Sequence, residues 1–128
     1  MLKNILLVAL GGAAGSVARY LLSKAVQGAA ASSFPWGTMA VNVAGCLLIG
    51  LFYGLSGDGG ARIGQDLKLM LTVGFCGGFT TFSTFANESL TLAKTGDALL
   101  SAVYIGSSVA FGMLAVVAGA QLAKAFAS

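Results

Sequence analysis

Gly74-Phe75-Cys76-Gly77-Gly78-Phe79-Thr80-Thr81-Phe82-Ser83-Thr84-Phe85 decides how this chain folds. The run sits inside a long apolar segment, where a helix should be simplest to continue. Instead it holds three glycines, four hydroxyl residues and four phenyl rings within twelve positions. Non-helical backbone at membrane depth is tolerated only where it is buried in protein or lines a wet cavity. The stretch therefore predicts a transmembrane helix broken near 76–80, with the working part of the molecule at the break.

Working outward, the 128 residues are 57% hydrophobic and only 9% charged, with a mean hydropathy of +0.90. A soluble domain carries roughly a quarter charged residues, so lipid is the natural solvent. One span needs about 20 apolar residues, and four can be drawn, at roughly 4–27, 35–56, 67–95 and 98–126. The expected fold is an all-α integral membrane protein forming one four-helix unit over 1–128. Lys3 followed by Ile5-Leu6-Leu7-Val8-Ala9-Leu10 imitates a signal peptide. Apolar residues continue to Val26, too far for such a peptide, so an uncleaved first helix is expected. The net charge of +3 has no basic cluster behind it, which argues against nucleic acid as a partner. Cys46 and Cys76 fall near the centres of spans two and three. Buried free thiols are expected, because neither zinc spacing nor a secreted disulfide framework is present.

Small residues recur where helices should meet. Gly11, Gly12 and Gly15 lie in the first span, Gly50 and Gly54 in the second, Gly74 and Gly78 in the third. Glycines four apart let two helix backbones approach closely in lipid. Pro35 suits a helix start, and Trp36 suits the interfacial aromatic belt. Asp58-Gly59-Gly60-Ala61-Arg62 is the clearest polar connection, with Asp58, Arg62 and Asp66 spaced to pair on a helical turn. Thr95-Gly96-Asp97 turns the chain between spans three and four. Lys3, Arg62, Lys68 and Lys124 fall on one side of the membrane, against Lys24, Lys94 and Arg19 on or toward the other. Lys/Arg asymmetry sets orientation. A balance this close permits insertion both ways, and hence an antiparallel homodimer.

Polar groups in hydrocarbon are costly and default to functional hypotheses. Thr38 and Asn42 share one face of the second helix; Tyr104 and Ser108 share a face of the fourth, continued by Gly112. If the third span restarts near Thr80, then Thr81, Thr84 and Glu88 align, with Phe82 and Phe85 on a neighbouring face. Three narrow polar tracks suit a slender conduit better than a broad cavity. Each has a plainer use: hydroxyls bond back to helix carbonyls, phenyl pairs pack, and Arg19 and Glu88 can snorkel from near the ends of their spans. No acid lies at mid-membrane to await a cation. The amide, the hydroxyls and the positive edges of the phenyl rings favour a small anion as cargo. There is no His, no metal cluster and no base beside a nucleophile, so an enzyme is not expected.

Gly11-Gly12-Ala13-Ala14-Gly15 with Arg19, Gly37-Thr38 to Asn42, and Gly74 to Phe85 resemble the Fluc (CrcB) fluoride channels over essentially the whole chain. The resemblance implies a passive fluoride channel exporting cytoplasmic fluoride across the bacterial inner (cell) membrane. It implies a multi-pass, dual-topology antiparallel homodimer with two pores at the subunit interface. Phe82 and Phe85 resemble the paired pore aromatics, Asn42 the pore amide, and Thr38, Ser83 and Thr84 neighbouring lining. Tyr104 and Ser108 resemble a polar track, shortened or completed by water where Gly112 replaces a serine of some members. Arg19 resembles a vestibule base and Glu88 an acid near one pore end. Backbone carbonyls of Gly77 and Thr80 from both copies would hold a structural sodium ion on the dyad. The partners implied are a second copy, fluoride and the bilayer. Two rivals have a different chemistry. A proton-coupled exporter of the small multidrug type would be expected to carry an acid within its first helix, where this chain has none. A membrane assembly protein would use its polar residues only to join helices.

Overall fold

The computed structural model describes residues 1–30, 32–56 and 63–127. Among them, four segments are long and apolar enough to cross a membrane: Leu2–Ala30, Trp36–Leu55, Gln65–Lys94 and Ala98–Phe126. The first is helix α1 (Leu2–Ala30) and the second α2 (Trp36–Leu55). The third is composite: α3 (Gln65–Leu69), a π-helical stretch Met70–Cys76, α4 (Gly77–Phe79), and after a gap α5 (Ser83–Lys94). The fourth is α6 (Ala98–Ala127). Every regular element among the described residues is a helix, in keeping with the apolar composition. Of the polar connection, Asp58 and Arg62 lie outside the described residues. Asp66 pairs with Lys3 across 3.2 Å in an exposed contact.

The helix ends follow from their residues. Pro35 immediately precedes α2, where its missing N–H costs nothing. After α5, the Asp97 N–H reaches Leu92 O at 3.0 Å and the Gly96 N–H reaches Ala93 O at 3.3 Å. This is a Schellman ending, and its left-handed residue is Gly96 at φ +87°, a conformation open to glycine at no steric cost. Asp97 O then accepts from the Ser101 N–H at 2.9 Å to start α6.

The bundle is two tight pairs, α1 against the third span and α2 against α6. Glycine sets both seams. A Cβ on Gly74 would stand 3.1 Å from Gly11 Cα, and one on Gly78 only 2.6 Å from Gly12 O. Across the other seam, Gly50 faces the Val116 backbone and Gly54 faces Ala123, while Gly119 approaches Leu47 and Leu51. With little hydrophobic drive between helices in lipid, such backbone proximity supplies van der Waals packing instead. Large apolar side chains of α1 and α6 point outward, among them Leu10, Leu21, Val109 and Leu114. The small core of Phe34, Met39, Leu92 and Tyr104 closes one end, with Phe85, Val43 and Leu100 against it. Cys76 is buried, Cys46 half-buried, and both are free thiols.

The break differs from the expected position. Gly77 and Gly78 are helical, and the chain departs only at Thr80, whose ψ of 161° is extended; helix resumes at Ser83. Gly78 is therefore a packing residue against α1 rather than a helix breaker. The π-helical stretch was not expected at all. It coincides with the closest approach of α1, where Gly11 meets Met70 O and Phe75 N.

Candidate functional site

The gap is held open by one side chain of α2. Asn42 Oδ1 accepts the Thr81 N–H at 2.8 Å, and Asn42 Nδ2 donates to the Thr81 carbonyl at 2.9 Å. In a continuous helix the Thr81 N–H would have gone to Gly77 O, four residues back. The Thr84 N–H, which would have gone to Thr80 O, is taken by the Thr81 hydroxyl at 3.2 Å. Gly77 and Thr80 thus both lose their regular helical donors. Gly78 O receives a replacement: Arg19 Nε donates to it at 3.1 Å from α1. Arg19 consequently turns toward the break instead of extending to the membrane surface.

On the protein side of the gap lies a groove of about 340 Å³, lined by Asn42, Cys46, Gly77, Thr80, Thr81 and Phe82 among others. Of the residues whose carbonyls lose a helical donor at the break, Gly77 and Thr80 line this groove. Unsatisfied carbonyl oxygens are the donor set that a hard cation such as sodium takes, so the residues fit the ion the resemblance implies.

Phe82 stands at the lip of the gap with 78% of its surface exposed. Its ring centroid is 5.9 Å from that of Phe85, tilted by 52°. The rings continue: Phe85 to Tyr104 at 5.1 Å, Tyr104 to Phe34 edge-on at 5.4 Å, and Phe34 to Trp36 at 4.5 Å. Five aromatic side chains thereby connect the break to the start of α2. Neither Phe34 nor this continuity was apparent from spacing, because the rings come from three helices and two connections.

Tyr104 is fully buried, and its hydroxyl donates to Glu88 Oε1 at 3.0 Å. Thr38, also buried, lies beside the same phenol. Three of the polar residues read from separate helices therefore meet at one point. Glu88 also lines a small pocket of about 210 Å³ with Gln27, Ser33 and Thr91. Ser108 Oγ is buried with no hydrogen-bond partner. One turn on, a Cβ on Gly112 would stand 3.3 Å from the Cys46 sulfur; the thiol borders the space a larger residue would enter. Ser83 is exposed and Thr84 half-buried on the first turn of α5.

Gln27 escaped the sequence reading. Its amide donates to Ser32 O at 2.9 Å and Phe34 O at 3.1 Å, and accepts the Gly37 N–H at 3.0 Å. It fastens the α1–α2 connection and so fixes Phe34 in the aromatic series. A lone amide near the end of an apolar span, ten residues ahead of the Gly37 it binds, was the available clue.

Fold and site together define a multi-pass membrane protein whose one broken span presents backbone, amide and phenyl groups at mid-bundle. Residues 6–120 match the family profile described as CrcB-like protein, Camphor Resistance (CrcB). The chain is 50% identical to the fluoride-specific ion channel FluC of Phocaeicola vulgatus, over 96% of this chain and all of that protein. It is 48% identical to the protein of that name from Bacteroides fragilis, over 98% of this chain and 99% of the relative. A third, from Rhizobium johnstonii, is 45% identical over 95% and 97%. The chain belongs to the CrcB-like family.

Proposed function

We propose that this protein is a fluoride-selective channel of a bacterial inner membrane, passive and not an enzyme, working as an antiparallel dimer with two pores. The observation that carries this reading is the sign of the groups gathered at the break. Arg19, held at the break by Gly78 O, supplies positive charge, and the N-terminal end of α5 supplies the positive end of a helix dipole, while Asn42 fixes the backbone between them. No carboxylate is among the described residues lining the groove. A helix N-terminus favours an anion, and a phenyl ring offers an anion its positive edge. The fluoride-specific names of relatives about half identical over nearly their full length support fluoride in particular.

In this mechanism the ion moves along Phe82, Ser83, Thr84 and Phe85, meets Asn42 and Thr38, and follows Tyr104 and Ser108. Glu88 shapes one end of this path, and Arg19 places its charge at the break. Weak, narrowly placed donors allow binding without trapping, and chloride is excluded by its size. A negative cell interior favours anion exit by about 2.3 kcal/mol per 100 mV, so no proton or ATP is consumed. A second copy is needed because Gly77 and Phe82 are exposed on the protomer, and among the described residues nothing of the same copy covers them. Weak Lys/Arg asymmetry supports an inverted partner. A sodium ion held by Gly77 and Thr80 carbonyls of both copies would supply a fixed positive charge where the freed oxygens gather.

The test is fluoride-electrode efflux from proteoliposomes, with chloride as the control anion. Wild type is expected to release fluoride and retain chloride, and Phe82→Ile to lose most of the flux while remaining dimeric. Absence of fluoride release from correctly inserted wild-type protein refutes the assignment.

A further inference from the structure

We propose that Thr81 is the positioning residue of the pore: it fixes the break and aims the Phe82 and Phe85 rings through its own hydrogen bonds. The inference rests on the fluoride-channel reading above and concerns a residue to which no role in it was given. Thr81 lies in the gap between α4 and α5. Its neighbours are committed to one side or the other. The Thr80 N–H and hydroxyl both return to Cys76 O, at 3.0 and 2.9 Å. Phe82 O accepts the Ala86 N–H at 2.8 Å and begins the second helix. Thr81 alone is bound by three contacts outside both ladders: its N–H and carbonyl to Asn42, and its hydroxyl to the Thr84 N–H.

The hydroxyl has two effects. It caps the first turn of α5, the turn that carries Phe82, Ser83, Thr84 and Phe85, and side-chain oxygens are preferred at such ends because they satisfy an orphan N–H. It also holds the Thr84 N–H away from Thr80 O, keeping that carbonyl free. Without the hydroxyl, the Thr84 N–H loses the partner it has at 3.2 Å, and a helix start drawn back toward Thr80 is the arrangement that supplies another. Successive residues of an α-helix stand about 100° apart, so drawing Thr81 into the turn would reset the azimuth of the adjoining Phe82 ring, which precedes α5 and packs against Phe85. A threonine here is therefore not interchangeable with the isosteric valine, although both suit lipid depth equally.

The experiment compares Thr81→Val, which removes the hydroxyl at constant shape, with Thr81→Ser, which keeps it, and uses Thr81→Ala as the second hydroxyl-free variant should valine not assemble. Fluoride efflux is measured alongside the ¹⁹F spectrum of protein labelled with fluorophenylalanine, which reports ring environment independently of flux. Thr81→Val is expected to lose about fivefold or more of the flux, as the loss of one helix cap implies, and to shift the Phe82 and Phe85 resonances. Thr81→Ser should restore both readouts. Wild-type flux and unshifted resonances in the hydroxyl-free variant overturn the role of Thr81 while leaving the channel assignment intact. No flux in the wild type overturns both.

Discussion

Asn42→Ala is the perturbation whose size can be worked most directly. The substitution removes two hydrogen bonds, at 2.8 and 2.9 Å, that hold the Thr81 backbone outside any helix. It leaves an N–H and a carbonyl unpartnered at a half-buried position. Such a group costs about 1–3 kcal/mol when left unsatisfied; partial exposure places the pair together at about 2–4 kcal/mol. The competing arrangement is ready, because the Thr81 N–H can return to Gly77 O and close the helix. At about 1.4 kcal/mol per factor of ten, the open gap should become roughly thirtyfold or more scarcer. Fluoride efflux from proteoliposomes should fall by at least that factor, and the thermal unfolding midpoint should drop with it. A residue that only touched the ion would lower flux and leave the midpoint in place. Flux within threefold of wild type, in protein that remains dimeric, would refute the reasoning.

Other expectations follow from the same geometry. Gly78→Ala forces a Cβ to within 2.6 Å of Gly12 O; overpacking of this kind costs about 1–3 kcal/mol and should lower the unfolding midpoint, whereas a Cβ on Gly77 meets nothing within 4 Å in its own protomer, so Gly77→Ala should act through the contact with the second copy and weaken the dimer. Tyr104→Phe deletes the donor to Glu88 while keeping the ring; hydrogen bonds to charged groups are worth about 1.5–3 kcal/mol, and a clear loss of both stability and efflux is expected. Lys3→Ala removes an ion pair whose side chains are 70% and 59% exposed, so stability measured by thermal unfolding should change by less than about 1 kcal/mol. The same substitution alters the Lys/Arg balance and should shift the ratio of inserted orientations, read by labelling a terminal cysteine from one side.

Hydropathy made the four spans legible, because lipid requires about 20 apolar residues in a row and the chain offers little else. The glycine seams were legible for the same reason: only small residues let Gly11 meet Gly74, or Gly50 meet Val116. The break was visible as an anomaly but its location was not. Glycine content drew attention to Gly77 and Gly78, whereas what opens the helix is an amide thirty-nine positions away on α2. Helical spacing likewise placed Thr38, Tyr104 and Glu88 on three faces without revealing that they converge on one phenol. Pairings between distant segments are set by how helices dock, and a single helix period carries no information about its partner's rotation. The gap between Arg19 as an end-of-span residue and Arg19 as a ligand of Gly78 O has the same origin.

The account depends on fluoride moving past Phe82 and Phe85, down its own gradient and without proton coupling. Its most direct test is the reversal potential of current through purified protein in a planar bilayer, with fluoride and chloride gradients set independently and the pH equal on both sides. The prediction is a reversal that follows the fluoride equilibrium potential and ignores chloride. A reversal that follows chloride, or one that moves when a pH gradient alone is imposed, would contradict it.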